Sequence, residues 1–335
     1  MLKCCLFGAG RIGAVHAENL ARHPNAELRW VIDPFEKSGR ALADAHGARW
    51  SDTPGDGIAD PEVDWVIIAS PTPTHVDLII ASARAGKAIF CEKPIDLDIA
   101  RVDEAIREVE EAKVPFFIAF NRRFDPSFRK VKADLAQGVV GKLELVQITS
   151  RDPGPPPTEY LRQSGGLFRD MMIHDLDMAR WLLGDEPAEV YATGSALVDP
   201  GIGEIGDVDT AVVVLKTRDG AIAHISNSRR AVYGYDQRLE VLGSKGMLRA
   251  ENVQTHTVST WTAEGVVHDK PPHFFIERYA EAYRAELDHF VEVVSRRNRP
   301  LLTGVRDGRQ ALVLADAALE SFELGRPIRL DPLGP

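Results

Sequence analysis

The amino-acid sequence predicts an α/β protein of two domains: a doubly wound parallel sheet, then an α+β fold with a large, mostly antiparallel sheet. Three observations lead to this prediction. The chain has 335 residues, the length of about two domains. Short apolar runs alternate with helical segments up to about residue 120, and longer strands of alternating polarity follow. We expect the domains to cover 1–122 and 123–335.

The first domain shows the rhythm of βα units. Its apolar runs are four to seven residues long, as expected for parallel strands that are covered on both faces. The expected strands are 2–7, 28–32, 63–69, 88–91 and 116–119. Helices are expected over 11–23, 36–46, 74–86 and 98–113. This order predicts a parallel sheet with helices on both sides.

The second domain is indicated by period-two alternation after the Pro-rich stretch 152–157. Its clearest strands are 212–216, 222–226 and 238–242, with Gly-containing turns at 218–220 and 243–246. A helix is expected over 167–183, ended by Gly184 and Pro187. Two further helices, 277–297 and 304–324, close the chain.

The charge balance excludes some classes of partner. Lys and Arg total 40 against 50 Asp and Glu, a net charge of −10 that repels nucleic-acid phosphates. No apolar stretch is long enough to span a bilayer, and a strand that begins at Leu2 leaves no room for a signal peptide. We therefore expect a cytoplasmic protein with neither nucleic-acid nor membrane partners. The three cysteines have no paired spacing and are interpreted as core thiols.

A glycine-rich segment after the first strand predicts a nucleotide site. The pattern G-x-G-x-x-G at 8–13 opens a helix, where backbone N–H groups and the helix dipole favour a pyrophosphate, as in a Rossmann domain. Asp33 ends the second strand, where a carboxylate binds ribose hydroxyls and repels a 2′-phosphate. The expected cofactor ligands here are Gly8, Gly10, Arg11, Ile12, Gly13 and Asp33. NAD is therefore the expected cofactor, although Lys37 and Arg40 nearby keep NADP open.

Two polar segments follow the third and fourth predicted strands, at the edge where an open α/β sheet binds its ligand. The first contains Ser70, Thr72 and His75, and the second contains Glu92 and Lys93. All five are expected to contact the cofactor. Helix capping is an alternative role for Ser70, Thr72 and Thr74, and it is compatible with cofactor contact.

Four motifs together resemble the glucose-fructose oxidoreductase/inositol dehydrogenase/rhizopine-catabolism family. They are the glycine loop, Glu92-Lys93-Pro94, the segment 120–124, and Gly165-Gly166 followed by Asp170 and His174. The likeness covers essentially the whole chain and is strongest to the inositol dehydrogenase branch. The combination of the Lys93 triplet with D-x-x-x-H is specific to this family.

The resemblance implies NAD-dependent oxidation of a secondary hydroxyl of a cyclic polyol, myo-inositol or a stereoisomer, to the ketone. It also implies a homotetramer assembled through the sheet of the second domain. An aldose or other sugar dehydrogenase of the same family is an alternative. A non-catalytic NAD-binding sensor is another, although it would have no need of a base and an oriented carboxylate. The segment 150–153 and Met171 differ among relatives with different sugar preferences.

The resemblance supports a catalytic set of Lys93, Asp170 and His174. On one helix, Asp170 and His174 would share a face, so the carboxylate could orient the imidazole. His174 is expected to act as the base and Lys93 to stabilise alkoxide charge. The candidate substrate ligands are Asn121, Arg123, Asp152, Tyr233 and Tyr235, the two tyrosines facing one side if they lie on a strand. No residues have a spacing suited to a metal ion.

Overall fold

The computed structural model describes residues 1–296 and 299–331. The chain forms two compact units: the first comprises 1–124 and 281–312, and the second comprises 125–280 and the segment from 313 onward. The sequence prediction had assigned 281–312 to the second domain. In the structure Phe290 packs against Trp65, Phe90 and Phe117, all in the first unit. An amphipathic helical pattern shows that a helix has an apolar face, but it does not show which core that face covers.

The first unit is a parallel sheet with helices between its strands. The strands are β1 (Leu2–Phe7), β2 (Ala26–Ile32), β3 (Arg49–Ser51), β4 (Trp65–Ile68), β5 (Ala88–Cys91) and β6 (Phe116–Ile118). The helices are α1 (Arg11–Ala21), α2 (Glu36–Ala45), α3 (Pro54–Ala59), α4 (His75–Arg84) and α5 (Ile99–Ala112). The strand order is β3-β2-β1-β4-β5-β6, which confirms the doubly wound sheet. The short elements β3 and α3 were not predicted.

The strand order reverses direction between β1 and β4. From β1 the chain proceeds outward through β2 and β3, then returns to place β4 on the other side of β1. Ligands of open α/β sheets bind at the carboxyl ends of the strands beside such a reversal. The loops after β1, β4 and β5 therefore stand at the expected ligand edge.

The second unit is built on a seven-stranded sheet. Its strands are β7 (Leu143–Arg151), β8 (Pro187–Ser195), β9 (Thr210–Thr217), β10 (Ile222–Ser228), β11 (Asp236–Gly243), β12 (Gly246–Ala250) and β15 (Ile328–Arg329). The order is β12-β11-β7-β10-β9-β8-β15. The pair β7 and β10 is parallel, and the other pairs are antiparallel, as predicted for most of the sheet. Two strands, β13 (Ser259–Thr262) and β14 (Gly265–His268), form a separate hairpin.

The remaining helices follow one another along the rest of the chain. They are α6 (Pro126–Ala136), α7 (Thr158–Ser164), α8 (Gly166–Asp170), α9 (Ile173–Leu183), α10 (Pro200–Glu204), α11 (Phe275–Arg278), α12 (Ala280–Arg296) and α13 (Val305–Leu324). Helix α13 begins in the first unit and continues into the second. Among residues 1–296 and 299–331, no helix combines the length and apolar character that a bilayer crossing requires.

The core of the first unit accounts for the cysteines. Cys4, Cys5 and Cys91 are free thiols and fully buried. Burial raises the pKa of each thiol well above its usual value, so the protonated form predominates. Their interpretation as core thiols is confirmed.

Candidate active site

The glycine loop has the shape of a nucleotide cradle. Gly8 has a φ of +98°, and a Cβ there would lie 2.6 Å from the carbonyl oxygen of Ala69. A Cβ on Gly13 would lie 1.9 Å from the carbonyl oxygen of Gly8, so helix and loop approach too closely for any side chain. A Cβ on Gly10 would meet open space. Gly10 caps α1 with no side-chain hydrogen bond, which leaves the first-turn N–H groups for an anionic ligand.

Asp33 closes the cradle from the end of β2. Its side chain is 7% exposed, and its Oδ2 and Oδ1 accept hydrogen bonds from Ala9 N (2.7 Å) and Phe35 N (2.8 Å). A carboxylate has about four acceptor positions, so two remain for ribose hydroxyls. Arg40 is bonded to Glu36 (2.7 Å) and stacked on Trp50 (4.4 Å). This part of the first unit therefore fits NAD. Arg40, which could otherwise bind the 2′-phosphate of NADP, is already paired with Glu36 and Trp50.

The polar segments after β4 and β5 are joined by His75. The ring is buried, with Nδ1 lying 2.8 Å from Pro94 O and Nε2 lying 2.8 Å from Ser70 O. Burial lowers the pKa of His75, and the contacts with the two carbonyl oxygens oppose that shift. The structure gives His75 a role in holding these loops together. Direct contact with the cofactor remains a prediction.

The hydroxyl groups of the first loop hydrogen-bond within that loop. Thr74 Oγ1 donates to Pro71 O (2.7 Å) and lies 2.7 Å from Ser70 Oγ. Although Thr74 is the N-cap of α4, its side chain makes no capping hydrogen bond. The Thr74 side chain therefore does not cap α4. Ser70 and Thr72 are both half-buried at this edge, and their cofactor contacts remain predictions.

Lys93 is the second residue after β5 and is half-buried. The preceding residue is held on two sides: Glu92 N donates to Ile68 O (2.9 Å), and Glu92 Oε1 lies 2.8 Å from Nε2 of His16. The Lys93–Pro94 peptide bond is cis. Lys93 thus stands at the carboxyl end of the sheet, as the sequence predicts.

Asn121 and Arg123 lie in a buried 3₁₀ turn after β6. Arg123 donates to Leu302 O (3.0 Å) and to Asp307 Oδ1 (3.0 Å), both in the first unit. It therefore fastens this turn to the segment that leads into α13. Asn121 Oδ1 is buried with no hydrogen-bond partner in the described part of the chain, so it retains an acceptor. Substrate contacts of either residue remain predictions, and the sequence held no signal for Asp307 as a partner.

The helix predicted over 167–183 is interrupted in the structure. Helix α8 ends at Asp170 and α9 begins at Ile173, with the N–H groups of Met171 (3.1 Å) and Met172 (2.9 Å) both bonded to Leu167 O. The prediction of one continuous helix over 167–183 is therefore wrong. Apolar residues continue across the break at helical spacing, so periodicity alone could not reveal it. The predicted end at Gly184 is confirmed by its left-handed C-cap, with a φ of +70°.

Asp170 is held by two side chains that the sequence analysis missed. Tyr160 donates to Asp170 Oδ1 (2.8 Å), and Arg229, which is 1% exposed, donates to Oδ2 (3.2 Å). Half of the Tyr160 side chain is exposed, but desolvation of its hydroxyl and the charge of Asp170 raise the pKa of this phenol. Tyr160 therefore remains a donor under alkaline conditions. Nothing in the sequence pattern pairs Tyr160 or Arg229 with Asp170, because the partners come from α7 and from the end of β10.

The residue after His174 anchors α9 to the sheet. Asp175 is buried, and it accepts hydrogen bonds from Ser150 Oγ (2.6 Å) and Asn227 Nδ2 (3.0 Å). Ser150 and Asn227 are register partners on the parallel strands β7 and β10. A buried carboxylate satisfied by two strands fixes the position of the helix. His174, on the adjacent half-buried position, is thereby set on a fixed backbone.

The two candidate substrate tyrosines do not share a face. Tyr233 and Tyr235 lie in the turn before β11, where Gly234 has a φ of +125°. Tyr233 is 38% exposed and donates to Asp236 Oδ2 (2.6 Å), whereas Tyr235 is 5% exposed and packs on Tyr279 with ring centroids 6.0 Å apart. The expectation of a common strand face is wrong because the turn breaks the alternation. A substrate role now suits Tyr233 better than Tyr235.

Asp152 is half-buried just beyond β7, and its N–H bonds to Ser228 O (2.9 Å). The neighbouring residue, Arg151, donates to the Tyr233 hydroxyl (3.1 Å). Arg151 and Asp152 lie at the end of β7, next to the end of β10, where Asn227 and Arg229 lie. Asp152 therefore remains a candidate substrate ligand.

Comparisons with known proteins match the whole chain. Residues 2–120 match an oxidoreductase family with an NAD-binding Rossmann fold, and 128–249 match the GFO/IDH/MocA C-terminal domain. The sequence is 47% identical to the myo-inositol 2-dehydrogenase of Thermotoga maritima, over 97% of this chain and 98% of that protein. It is 38% identical to the NAD-dependent scyllo-inositol 2-dehydrogenase of Bacillus subtilis, over 98% and 96% of the two chains.

Solved structures agree with the sequence relatives. A putative myo-inositol dehydrogenase from Sinorhizobium meliloti 1021 matches with a TM-score of 0.96 and 46% identity, over 99% of this chain and 100% of that chain. A scyllo-inositol dehydrogenase from Lactobacillus casei, solved with bound NAD(H) and scyllo-inositol, matches with a TM-score of 0.91 and 30% identity. The latter match covers 98% of this chain and 99% of that one.

Proposed function

Because this chain belongs to the GFO/IDH/MocA oxidoreductase family, we propose that it oxidises one secondary hydroxyl of myo-inositol or a stereoisomer to the ketone, with NAD as cofactor. Family membership and the NAD cofactor agree with the sequence prediction. The observation that carries the proposal is the fixed carboxylate of Asp170, held by buried Arg229 and by Tyr160 close in sequence to His174. A protein that only sensed NAD would not require this arrangement.

His174 is proposed to take the proton of the reacting hydroxyl. Its Nδ1 is buried, so we assign the proton transfer to Nε2. Asp170 would orient the imidazole and bind a neighbouring hydroxyl of the substrate. Arg229 and Tyr160 would keep that carboxylate in place while the imidazole changes its charge.

Lys93 is proposed to hydrogen-bond the same substrate oxygen as His174 and to stabilise its developing negative charge. NAD, when bound, accepts the hydride from the substrate carbon. Gly10 and the first turn of α1 would hold its pyrophosphate, and Asp33 its ribose. The remaining substrate hydroxyls would be bound by Asp152 and Tyr233, with Asn121 and Arg123 as further candidates.

The direct test is the appearance of NADH absorbance at alkaline pH. Purified protein would be given myo-, scyllo- and chiro-inositol, glucose or xylose, with either NAD or NADP. We expect oxidation of at least one inositol with NAD. Preference for glucose or xylose would favour a sugar dehydrogenase instead, and inactivity with all five would favour a binding protein without catalysis.

We also propose that the chain assembles as a homotetramer through the sheet of the second unit. Strand register places the apolar side chains of Leu145, Ile222, Leu242 and Met247 in one row across four strands. Of these, Ile222, Leu242 and Met247 are exposed by 37%, 40% and 50%. An apolar row of this kind is typical of an interface. Light scattering after gel filtration measures the assembled mass. A cytoplasmic location remains part of the proposal, since the three cysteines are free thiols.

A further inference from the structure

One imidazole and two carboxyl groups form a buried cluster behind the loop that carries Lys93. His16 lies on α1, Glu92 follows β5, and Glu286 lies on α12, all within the first unit. One polar atom from each residue lies within 4.8 Å of the other two. Both His16 and Glu286 are 0% exposed, and the Glu92 side chain is 14% exposed. None of these groups takes part in the proton or hydride transfer proposed above.

The contact between His16 and Glu92 is a hydrogen bond of 2.8 Å from Nε2 to Oε1. Nδ1 of His16 has no hydrogen-bond partner in the described part of the chain. The ring proton therefore belongs on Nε2, from which it is donated to Glu92. The imidazole makes T-shaped contacts with the rings of Phe90 and Tyr283, which fix its orientation. Glu92 Oε1 is accordingly the acceptor of this hydrogen bond.

The carboxyl group of Glu286 differs from that of Glu92 in its hydrogen bonding. Within 1–296 and 299–331, neither of its carboxyl oxygens has a hydrogen-bond partner. An ionised carboxylate is costly to bury without donors, and a second one beside Glu92 would add repulsion. Burial and the charge of Glu92 raise the pKa of Glu286 well above its usual value. Glu286 is therefore a neutral acid. Its carboxyl group lies within 4.8 Å of that of Glu92. A change of one side-chain torsion, or one bridging water molecule, would let its proton reach Glu92.

The same three residues are of the types that bind a divalent cation, but their geometry favours a proton. Two ligand atoms at about 2.0–2.2 Å from one tetrahedral zinc ion lie roughly 3.3–3.6 Å apart and do not hydrogen-bond to each other. His16 and Glu92 are in direct hydrogen-bond contact at 2.8 Å. A neutral acid within 4.8 Å of Glu92 can donate its proton through one water molecule or after a change of one torsion, and this needs no metal ion.

We propose that Glu286, as a neutral acid, is a positioning residue that holds Glu92 and thereby places Lys93 for the reaction. The loop is anchored on both sides of Lys93: Glu92 N bonds to Ile68 O (2.9 Å), and Pro94 O bonds to His75 Nδ1 (2.8 Å). The side chain of Glu92 is the part of this anchor that reaches α1 and α12. This inference rests on the proposed function, since it assigns Glu286 to the turnover that Lys93 supports.

The experiment compares Glu286→Gln with Glu286→Met in the full chain. Gln keeps a neutral donor of the same shape, so we expect kcat within about threefold of the wild type. Met removes the donor, and we expect kcat to fall by about tenfold to a hundredfold, the range of one hydrogen bond to a charged group. The Kd for NAD should stay within a few-fold in both. Glu281→Gln on the exposed side of α12 is the matched control and should resemble the wild type.

A second measurement reports the proton itself. The infrared spectrum of the wild type at neutral pH should contain the carbonyl band of a protonated buried carboxylic acid. That band should be absent from Glu286→Gln and Glu286→Met and present in Glu281→Gln. A band that survives both substitutions at Glu286 would overturn the inference, as would one equivalent of a divalent metal in the wild type that both variants lack.

The two proposals fail in different ways. Suppose that the wild type oxidises no polyol, but its infrared band is absent from Glu286→Gln. The proposed function is then wrong, and the proton on Glu286 is established without a role in positioning Lys93. If the wild type is active and Glu286→Met turns over as fast as Glu281→Gln, the positioning role is wrong and the proposed function stands.

Discussion

Asp33 is expected to decide cofactor choice and also to fasten the glycine loop. Its carboxylate accepts hydrogen bonds from Ala9 N (2.7 Å) and Phe35 N (2.8 Å), and it is expected to bind the ribose as well. Asp33→Ala removes all of these interactions. Asp33→Asn keeps one carbonyl acceptor and removes the charge that repels a 2′-phosphate. The two variants therefore separate the structural role from the electrostatic one.

The magnitudes follow from the number of hydrogen bonds. A hydrogen bond to a charged group contributes about 1.5–3 kcal/mol, so Asp33→Ala should lower the free energy of unfolding by about 2–4 kcal/mol, after partial hydration of the two N–H groups. Asp33→Asn should cost at least half as much, because its amide NH2 would face one of the two backbone N–H donors. Loss of one ribose hydrogen bond should lower kcat/KM for NAD by about 10- to 100-fold. The value for NADP should rise in both variants, since the repulsion is gone.

Urea unfolding without cofactor measures the first effect, and initial rates with NAD and NADP measure the second. Glu110→Gln is the matched control, because it removes an acidic charge from a side chain on α5 that is 49% exposed and outside the glycine loop. It should leave both stability and cofactor preference nearly unchanged. These assignments are wrong if Asp33→Ala unfolds like the wild type and still prefers NAD, or if Glu110→Gln alters the preference as much as Asp33→Asn.

Four further substitutions test the reaction. Lys93→Met should lower kcat by about 100- to 1,000-fold, with the Kd for NAD within a few-fold, because it removes a donor to developing charge; near-normal turnover would remove Lys93 from the mechanism. Asp170→Asn should lower kcat and shift the rise of kcat/KM with pH to a lower midpoint, because the imidazolium loses a stabilising charge, and His174→Ala should abolish that rise. A profile of Asp170→Asn equal to that of the wild type in height and midpoint would mean that these residues are uncoupled. Tyr160→Phe should lower kcat/KM by about tenfold through loss of one hydrogen bond to Asp170, with little change in Tm. The same change at exposed Tyr191 on β8 is the control, and equal effects of the two would contradict the assignment.

Features that depend on neighbouring residues could be predicted from the amino-acid sequence. Continuous apolar strands, helical spacing between them and the glycine loop after β1 predict the doubly wound sheet, and Asp33 predicts the cofactor. The motif at 92–94 also falls at the predicted strand end. These signals are readable because a strand, a tight turn and a helix start are each specified within about ten residues. The short elements β3 and α3 lie below the length at which such a pattern is visible.

Contacts between residues far apart in the sequence are visible only in the folded chain. The segment 281–312 joins the first unit, and it is this placement that brings Glu286 to His16 and Glu92. The break between α8 and α9 likewise appears only in the folded chain. Tyr160 and Arg229 both bond to Asp170, although they lie 10 and 59 residues from it in the sequence. Periodicity shows that a side chain is buried, but the partner of a buried polar group is set by packing between elements, which no local pattern encodes.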